Sequence, residues 1–207
     1  LAGDSGSEVS NLAGGCWGRG SWGGLSGGFG RVARGQYDNA FFTMGLLYNP
    51  FGSSLTFAPT MVSYYSGSGA ATLGYDTGWV NSITYETPNF GGFTASLQFA
   101  PKETSAGGDA KNAYALSAAY NAGPLSRGNT GSAAYTKVQK NFGLGASYNF
   151  GVAKLSAQYS QVKDETAGAD GKAKFFQIGA EVPVTDAGKV LVSSGQTKYG
   201  AFSVAEG

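Results

Sequence analysis

The sequence contains no histidine and a single cysteine, Cys16. These absences exclude a histidine-based metal site, a cysteine-rich zinc site and a Ser-His-Asp triad, and a lone cysteine cannot form an internal disulfide. Charged residues make up only 13% of the chain, with 14 basic and 13 acidic residues. This balance argues against a basic nucleic-acid-binding protein. We therefore expect no catalytic residues, no metal, no cofactor and no nucleic-acid partner, and we predict that the protein is not an enzyme.

Long apolar runs are also missing from the chain. A membrane-spanning helix needs about eighteen or more uninterrupted apolar residues, so a helical membrane protein is excluded. A membrane β-barrel is not excluded, because its strands interleave apolar and polar residues and an average over a window hides them.

Glycine and aromatic residues are abundant. The chain has 35 glycines among 207 residues, 13 phenylalanines and 12 tyrosines, whereas glycine ordinarily makes up about 7% of a protein. Glycine weakens helices and suits turns, tight bends and barrel walls. The composition therefore favours an all-β chain.

Apolar residues alternate with small or polar ones in "NFGLGASYNFGVAKLSAQYSQV", residues 141–162. Phe142 and Leu144 fall on one parity, Gly143 and Ser147 on the other, and the pattern restarts after Gly151. A period of two is the side-chain period of a β-strand, so this stretch predicts two strands and a tight turn. The same alternation occurs at residues 81–87, 93–99, 113–120 and 176–182, and less regular strands are predicted at residues 19–26, 29–37, 131–138 and 189–196. The total is about ten strands.

The predicted connections alternate in length. Short ones carry Pro, Gly, Asn or Asp, whereas residues 101–112 and 163–172 form longer polar loops. Short turns at one end, loops at the other and period-two strands are typical of an outer-membrane barrel whose apolar parity faces lipid and whose polar parity lines a lumen. A soluble β-sandwich also alternates. A soluble or surface β-sheet binding module, lectin-like or adhesin-like, therefore stays open as the alternative.

Residues 38–78 separate two predicted strands and have no clean period. Loops longer than about fifteen residues are uncommon and usually functional or disordered. Disorder does not suit "AFFTMGLLY" or "LTFAPTMVSYY", because they are too apolar to remain in water. We expect the segment to fold into the lumen and narrow the pore. The alternative is a further hairpin that Pro59 interrupts.

Several stretches resemble Gram-negative general porins of the betaproteobacterial type. These are "RGSWGGLSGGFG", "QYDNAFF", "NSITYETPNFGGFTASLQFAP", "NAYALSAAYNAGPLS" and residues 141–162, and the likeness runs in family order from residue 12 to residue 200. The resemblance implies an antiparallel up-and-down transmembrane β-barrel in outer-membrane lipid, forming a water-filled channel for ions and small polar solutes. It also implies a homotrimer in the full-length form, with residues 38–78 in the place of the family's constriction loop.

The chain departs from this family in two respects. Porin barrels have roughly 16 to 18 strands, so we expect residues 1–207 to form one partial porin domain that lacks the first and last strands. The family also places basic residues near two positions that hold Val80 and Thr84 here. This difference argues against strong anion selectivity.

The family's constriction sets arginines on the wall against carboxylates on the loop, and the field between them filters ions. Carried over to this sequence, the candidate constriction residues are Arg19, Arg31, Arg34, Asp38, Asp76, Glu86 and Lys154. Arg31 alternates with Val32 and is expected to face the lumen. Arg34 shares the parity of Val32, so it faces the lumen only if a bulge or register shift intervenes. Each of these charges could instead be a solvated rim residue.

Overall fold

The computed structural model describes residues 2–3, 20–65, 77–101, 112–133, 139–166, 169–185 and 188–200. Within these ranges the strands form one sheet in chain order, each antiparallel to the next, which confirms the predicted all-β antiparallel architecture. The strands are β1 (Ala2–Gly3), β2 (Ser21–Gly27), β3 (Gly30–Asp38), β4 (Gly78–Glu86), β5 (Phe93–Ala100), β6 (Ala113–Ala122), β7 (Leu125–Ala133), β8 (Gln139–Asn149), β9 (Lys154–Thr166), β10 (Ala169–Thr185) and β11 (Gly188–Tyr199).

The sheet has an apolar exposed face and a buried face on which most of the polar strand residues lie. On β8, Phe142 and Leu144 are 41% and 43% exposed, whereas the intervening Asn141 and Ser147 are buried. Strand β9 likewise buries its serines and Gln158 on the same side. We call these the outer and inner faces. The predicted separation by parity is confirmed.

Tight connections lie at one end of the sheet, which we call the turn end. The hairpins β6/β7 and β8/β9 close with Gly123 and Gly151 at positive φ, a conformation that glycine adopts without a Cβ clash. The outer face at this end carries exposed aromatic rings: Phe90, Phe93, Tyr120 and Phe150. Such a band is typical of a membrane–water interface. The opposite end, where residues 39–77 leave the sheet, is the loop end.

The strands differ most from the prediction at β7 and at the β9/β10 hairpin. Strand β7 runs over Leu125–Ala133 rather than residues 131–138, of which 134–138 lie outside the described residues. Its sequence, LSRGNTGSA, lacks apolar alternation, so pairing with β6 and β8 sets its position. Of residues 163–172, predicted as a loop, 163–166 and 169–172 belong instead to strands β9 and β10, whose register continues up to Thr166 and Ala169, while 167 and 168 lie outside the described residues. Polarity alone therefore misplaced the end of this hairpin.

The long segment between β3 and β4 forms two helices, α1 (Ala40–Leu47) and α2 (Pro59–Tyr65). The Asn39 side chain caps α1, its Oδ1 accepting from the Phe42 N–H at 2.8 Å. Pro59 is the first residue of α2, where a missing N–H costs nothing. The described part of the segment thus contains helices and no hairpin. Among the described residues, neither helix has the length and hydropathy needed to cross a membrane.

Candidate pore constriction

The two helices pack against the inner face of the sheet, α1 on β6–β8 and α2 on β10 and β11. Their apolar side chains join the wall in one buried cluster, in which the Tyr64 ring lies 5.4 Å from Phe41 and 5.5 Å from Phe175. Met44 and Val162 are buried in the same cluster. For the described part of this segment, residues 38–65, the expected folding onto the lumen side of the barrel wall is confirmed.

Three glycines of the wall make this close approach possible. Tyr48 lies over Gly145, Pro50 over Gly179 and Pro59 over Gly195. A Cβ at any of these glycines would overlap the residue above it; at Gly195 it would lie 2.5 Å from Pro59 Cβ. We call Gly145, Gly179 and Gly195 the glycine seats.

Buried polar contacts fix the position of α2 on the wall. The Thr60 N–H donates to Gln177 Oε1 at 3.0 Å, and the Thr60 hydroxyl contacts both Gln177 and Gln158. All three residues are at most 2% exposed. Breaking such buried hydrogen bonds leaves unsatisfied groups, which is costly. Two further side-chain hydrogen bonds join α2 to the wall: Tyr64 with Ser160 (2.6 Å) and Ser63 with Thr197 (3.0 Å).

Open space lies on the other side of α1. One cavity of about 280 Å³ separates α1 from β4–β6, and another of about 560 Å³ separates it from β2–β4. Tyr37, Asp38, Thr43 and Glu86 line both cavities. The helices therefore occupy one side of the inner face and leave a polar gap along β2–β6.

An ion pair stands in this gap. Arg31 and Glu86 are directly opposite each other in the β3/β4 register. Arg31 Nε donates to Glu86 Oε2 at 2.8 Å, and a second guanidinium nitrogen contacts the same carboxylate. The Tyr37 hydroxyl donates to Glu86 Oε1 at 2.9 Å and also contacts Arg31. The guanidinium lies 5.4 Å from the centroid of the Trp22 ring, within cation–π range. The charges of Arg31 and Glu86 are thus compensated locally.

The remaining predicted residues lie apart from this pair. Arg34 is on the outer face, exposed and opposite Ile83, because the only irregularity in the described β3/β4 register comes after it, between Gly35 and Tyr37. This corrects the expectation that a bulge could turn Arg34 into the lumen. Asp38 ends β3, is exposed and lines both cavities.

Lys154 lies on the inner face at the turn end, not in the gap. Its ammonium group is 3.2 Å from Glu181 Oε1, and Lys189 binds the other oxygen of that carboxylate at 2.8 Å. The two remaining candidates, Arg19 and Asp76, lie outside the described residues. Trp22 and Tyr37, which the sequence analysis did not single out, both lie against Arg31 in the gap. Their inner-face parity, shared with Arg31, is the signal that could have found them.

A sheet with an apolar outer face, a polar inner face and an apolar segment packed inside is the wall of a porin-type β-barrel. The sequence matches the model of the Gram-negative porin family over residues 2–206, and the chain belongs to that family. It is 35% identical over 178 residues to outer membrane porin protein 32 of Delftia acidovorans, covering 80% of this chain and 50% of that protein. The family locates the chain in the outer membrane of a Gram-negative bacterium.

A solved structure gives the same fold. The chain is similar to an anion-selective porin from Comamonas acidovorans, with a TM-score of 0.75 and 31% sequence identity. The likeness covers 91% of this chain and 60% of that one. The chain therefore spans between half and three fifths of the length of these relatives.

Proposed function

We propose that the protein forms a water-filled channel for passive diffusion of ions and small hydrophilic solutes across the outer membrane, without a chemical step. The observation that carries the proposal is the asymmetric filling of the inner face. Helices α1 and α2 cover β6–β8, β10 and β11, while β2–β6 border cavities whose linings include hydroxyls, Asp38 and Glu86. A polar gap inside an apolar outer surface is what a hydrated solute needs.

Residues 38–78 are the proposed constriction loop of this channel. Its described helices narrow the space in front of Arg31, Asp38 and Glu86. Because Arg31 and Glu86 neutralise each other, we propose that this part of the wall discriminates only weakly between cations and anions. Arg19 and Asp76 complete the proposed constriction set, and Lys154 is assigned to the turn-end mouth. The partners of the proposed channel are outer-membrane lipid and, in the full-length form, two further copies in a homotrimer.

Recording from planar bilayers tests this function. The protein purified from its outer membrane should give stepwise single-channel currents in potassium chloride, and a heat-unfolded sample of the same preparation should give none. A folded preparation that stays silent in the bilayer would refute the channel. Folding in buffer without detergent, together with silence, would support the β-sheet binding module instead.

A further inference from the structure

The cavity between α1 and β4–β6 has two unlike walls. Strands β4, β5 and β6 line it with hydroxyl and amide side chains: Thr84, Thr94, Ser96, Gln98 and Ser117. Helix α1 lines it with Ala40, Met44 and Leu47. Leu47 is 59% exposed although it lies on the lumen side of the sheet. The cavity therefore offers hydrogen bonds on one side and an apolar surface on the other.

The strand register sets the polar groups side by side. Glu86 is opposite Ser96, and Ser96 is opposite Ser117 on its other side. In the next inner-face row toward the loop end, Thr84 is opposite Gln98. Neighbouring strands lie about 4.8 Å apart and rows on one face about 7 Å apart, so the polar wall is roughly 10 Å wide and 7 Å high. A single small ring can contact all of it.

This wall keeps unused hydrogen-bonding capacity. The hydroxyl oxygens of Ser96 and Ser117 lie 2.6 Å apart and share one hydrogen bond. Because each hydroxyl has one donor and two acceptor lone pairs, the pair still has a donor and several acceptors. Thr84 is 4% exposed, and its hydroxyl has no hydrogen-bond partner within the described part of the chain. Buried polar groups are nearly always hydrogen-bonded, so this hydroxyl calls for a partner from the cavity.

The charges at the cavity do not favour an anion. Among the described residues, no lysine or arginine lines it. Its two carboxylates, Asp38 and Glu86, also line the neighbouring cavity toward β2–β4, so they lie between the two spaces. Arg31 neutralises Glu86 from that neighbouring side. A neutral solute with hydroxyls of its own suits this lining better, because each of its hydroxyls can both donate and accept.

The size of the cavity suits a single small ring. Its volume of about 280 Å³ lies just below the roughly 300 to 1,000 Å³ of pockets that hold drug-sized ligands. A monosaccharide is smaller than such ligands, and it carries hydroxyls around its rim and C–H groups on its faces. One C–H face can therefore lie on the apolar wall of α1 while the hydroxyls meet the polar wall of β4–β6.

We propose that this cavity binds a neutral polyhydroxylated ring, a monosaccharide or a cyclic polyol, on its way through the channel. The inference rests on the proposed channel function and gives that channel a solute class. Thr84 and the Ser96/Ser117 pair exchange hydrogen bonds with the solute, and Met44 and Leu47 cover its C–H face. A site built to hydrogen-bond hydroxyls discriminates strongly against analogues that lack them. The cavity thus selects solutes by hydroxyl content rather than by charge.

The test measures sugar binding and conductance on one preparation, the protein purified from its outer membrane. The probes are glucose and tetrahydropyran-2-methanol, which keeps the ring but lacks the ring hydroxyls. Saturation-transfer NMR reports binding whether or not the protein conducts. Planar-bilayer recording in potassium chloride reports how far glucose lowers the single-channel current.

Two sets of substitutions are compared. The cavity variant is Thr84→Val with Ser96→Ala and Ser117→Ala, which removes both members of the serine pair and so leaves neither unsatisfied. The control is Ser147→Ala with Ser156→Ala, two buried serines that are also opposite each other on the inner face but line neither cavity. Circular dichroism in detergent checks that both variants keep their β structure.

We expect glucose to bind the unsubstituted protein and the control saturably at millimolar concentrations and to lower their currents. The cavity variant should bind glucose roughly tenfold more weakly, since it loses one or two neutral hydrogen bonds. Tetrahydropyran-2-methanol should bind the unsubstituted protein at least as weakly. Equal glucose affinity of the cavity variant and the unsubstituted protein would overturn the proposal. So would equal binding of the two probes, or an equal loss in the control.

Failure of this proposal is distinct from failure of the channel. Stepwise currents that glucose does not change, without a saturable NMR signal, would overturn the sugar site and leave the channel standing. Absence of current from the folded protein would refute the channel. If the NMR signal then still saturated and weakened in the cavity variant, it would support the sugar site on its own.

Discussion

At the scale of single residues, the effect of each charge on a passing ion depends on whether an opposite charge lies beside it. Arg31 lies in the gap where a pore arginine would act, yet Glu86 holds its guanidinium and Tyr37 closes the pair. Alternation predicts correctly that Arg31 is on the inner face, where it lies opposite Glu86. It does not predict their pairing, because the register between β3 and β4 depends on how the intervening segment folds. A count of basic residues in the pore therefore overestimates the field that an ion meets.

Removing either partner should expose the charge of the other. In the proposed channel, Glu86→Gln should shift permeability toward anions and Arg31→Gln toward cations. A charge about 4 Å from a passing ion is worth on the order of 1 kcal/mol in water, so we expect a change of roughly fivefold in the permeability ratio. Reversal potentials in a salt gradient measure it. Shifts of both variants in the same direction would contradict a compensated pair.

The glycine seats give a second test at this scale. Gly195→Ala should displace Pro59 and lower the free energy of unfolding of the packed loop by about 1 to 3 kcal/mol, the usual cost of overpacking. Hydrogen exchange of the α2 amides measures the loss. Gly23→Ala is the matched control, because a Cβ there would meet nothing within 4 Å. If the α2 amides of Gly195→Ala were as protected from hydrogen exchange as those of the unsubstituted protein, the packing of the loop would not depend on Gly195.

At the scale of elements, the sequence predicts strands more reliably than what fills the lumen. Regular alternation predicts β8 and β9 and the face that each residue occupies. It misplaces β7, whose glycine, serine and asparagine residues pair with strands on both sides. The apolar character of residues 38–78 predicts burial but not helices, because α1, which is apolar except for Thr43, shows no amphipathic period. Helix α1 contacts strands far along the chain, and a local sequence pattern carries no information about such contacts.

A disulfide should form between α2 and the wall. In a Cys16→Ser background, Ser63→Cys with Thr197→Cys replaces two hydroxyl oxygens 3.0 Å apart, close enough for sulfur atoms to bond after a small adjustment. We expect oxidation to join them readily and to leave single-channel conductance unchanged, because the loop already lies on the wall. Gel mobility with and without reductant measures the link. A conductance that falls only after oxidation would mean that α2 leaves the wall during transport.

At the scale of the whole molecule, alternate residues of each strand face different environments on the two sides of the sheet. The outer face runs from exposed lysines at the loop end of β8–β11 through apolar rows to the aromatic band at the turn end, and the inner face carries the helices and the polar gap. The sheet and its sidedness follow from period-two patterning and were predictable. The off-centre position of the gap could not be predicted from the sequence, because it depends on where the loop packs against the glycine seats and Gln177.

A charge on the outer face should destabilise the protein according to its depth. Leu144 lies midway along β8, four residues from both Lys140 and Tyr148. Leu144→Lys should lower the free energy of unfolding in lipid vesicles by about 2 to 4 kcal/mol, whereas Val190→Lys, near the turn end, should cost about 0 to 1 kcal/mol. Denaturant titration in vesicles measures both. Equal costs at the two depths would be inconsistent with a lipid-facing surface in this orientation.

The packing of residues 38–78 on the barrel wall also fixes the order in which parts of the chain can fold. Thr60 is bonded to a side chain 117 residues further along the chain, and Ser63 to one 134 residues away. The apolar helices are therefore synthesised long before the strands that cover them. Until β8–β11 have assembled, Phe41, Met44 and Tyr64 have no surface to bury against, and contacts of such long sequence separation form slowly. Between the synthesis of the helices and their packing on the wall, the chain most needs protection from aggregation. The duration of this interval depends on when the last strands assemble, not on the loop itself.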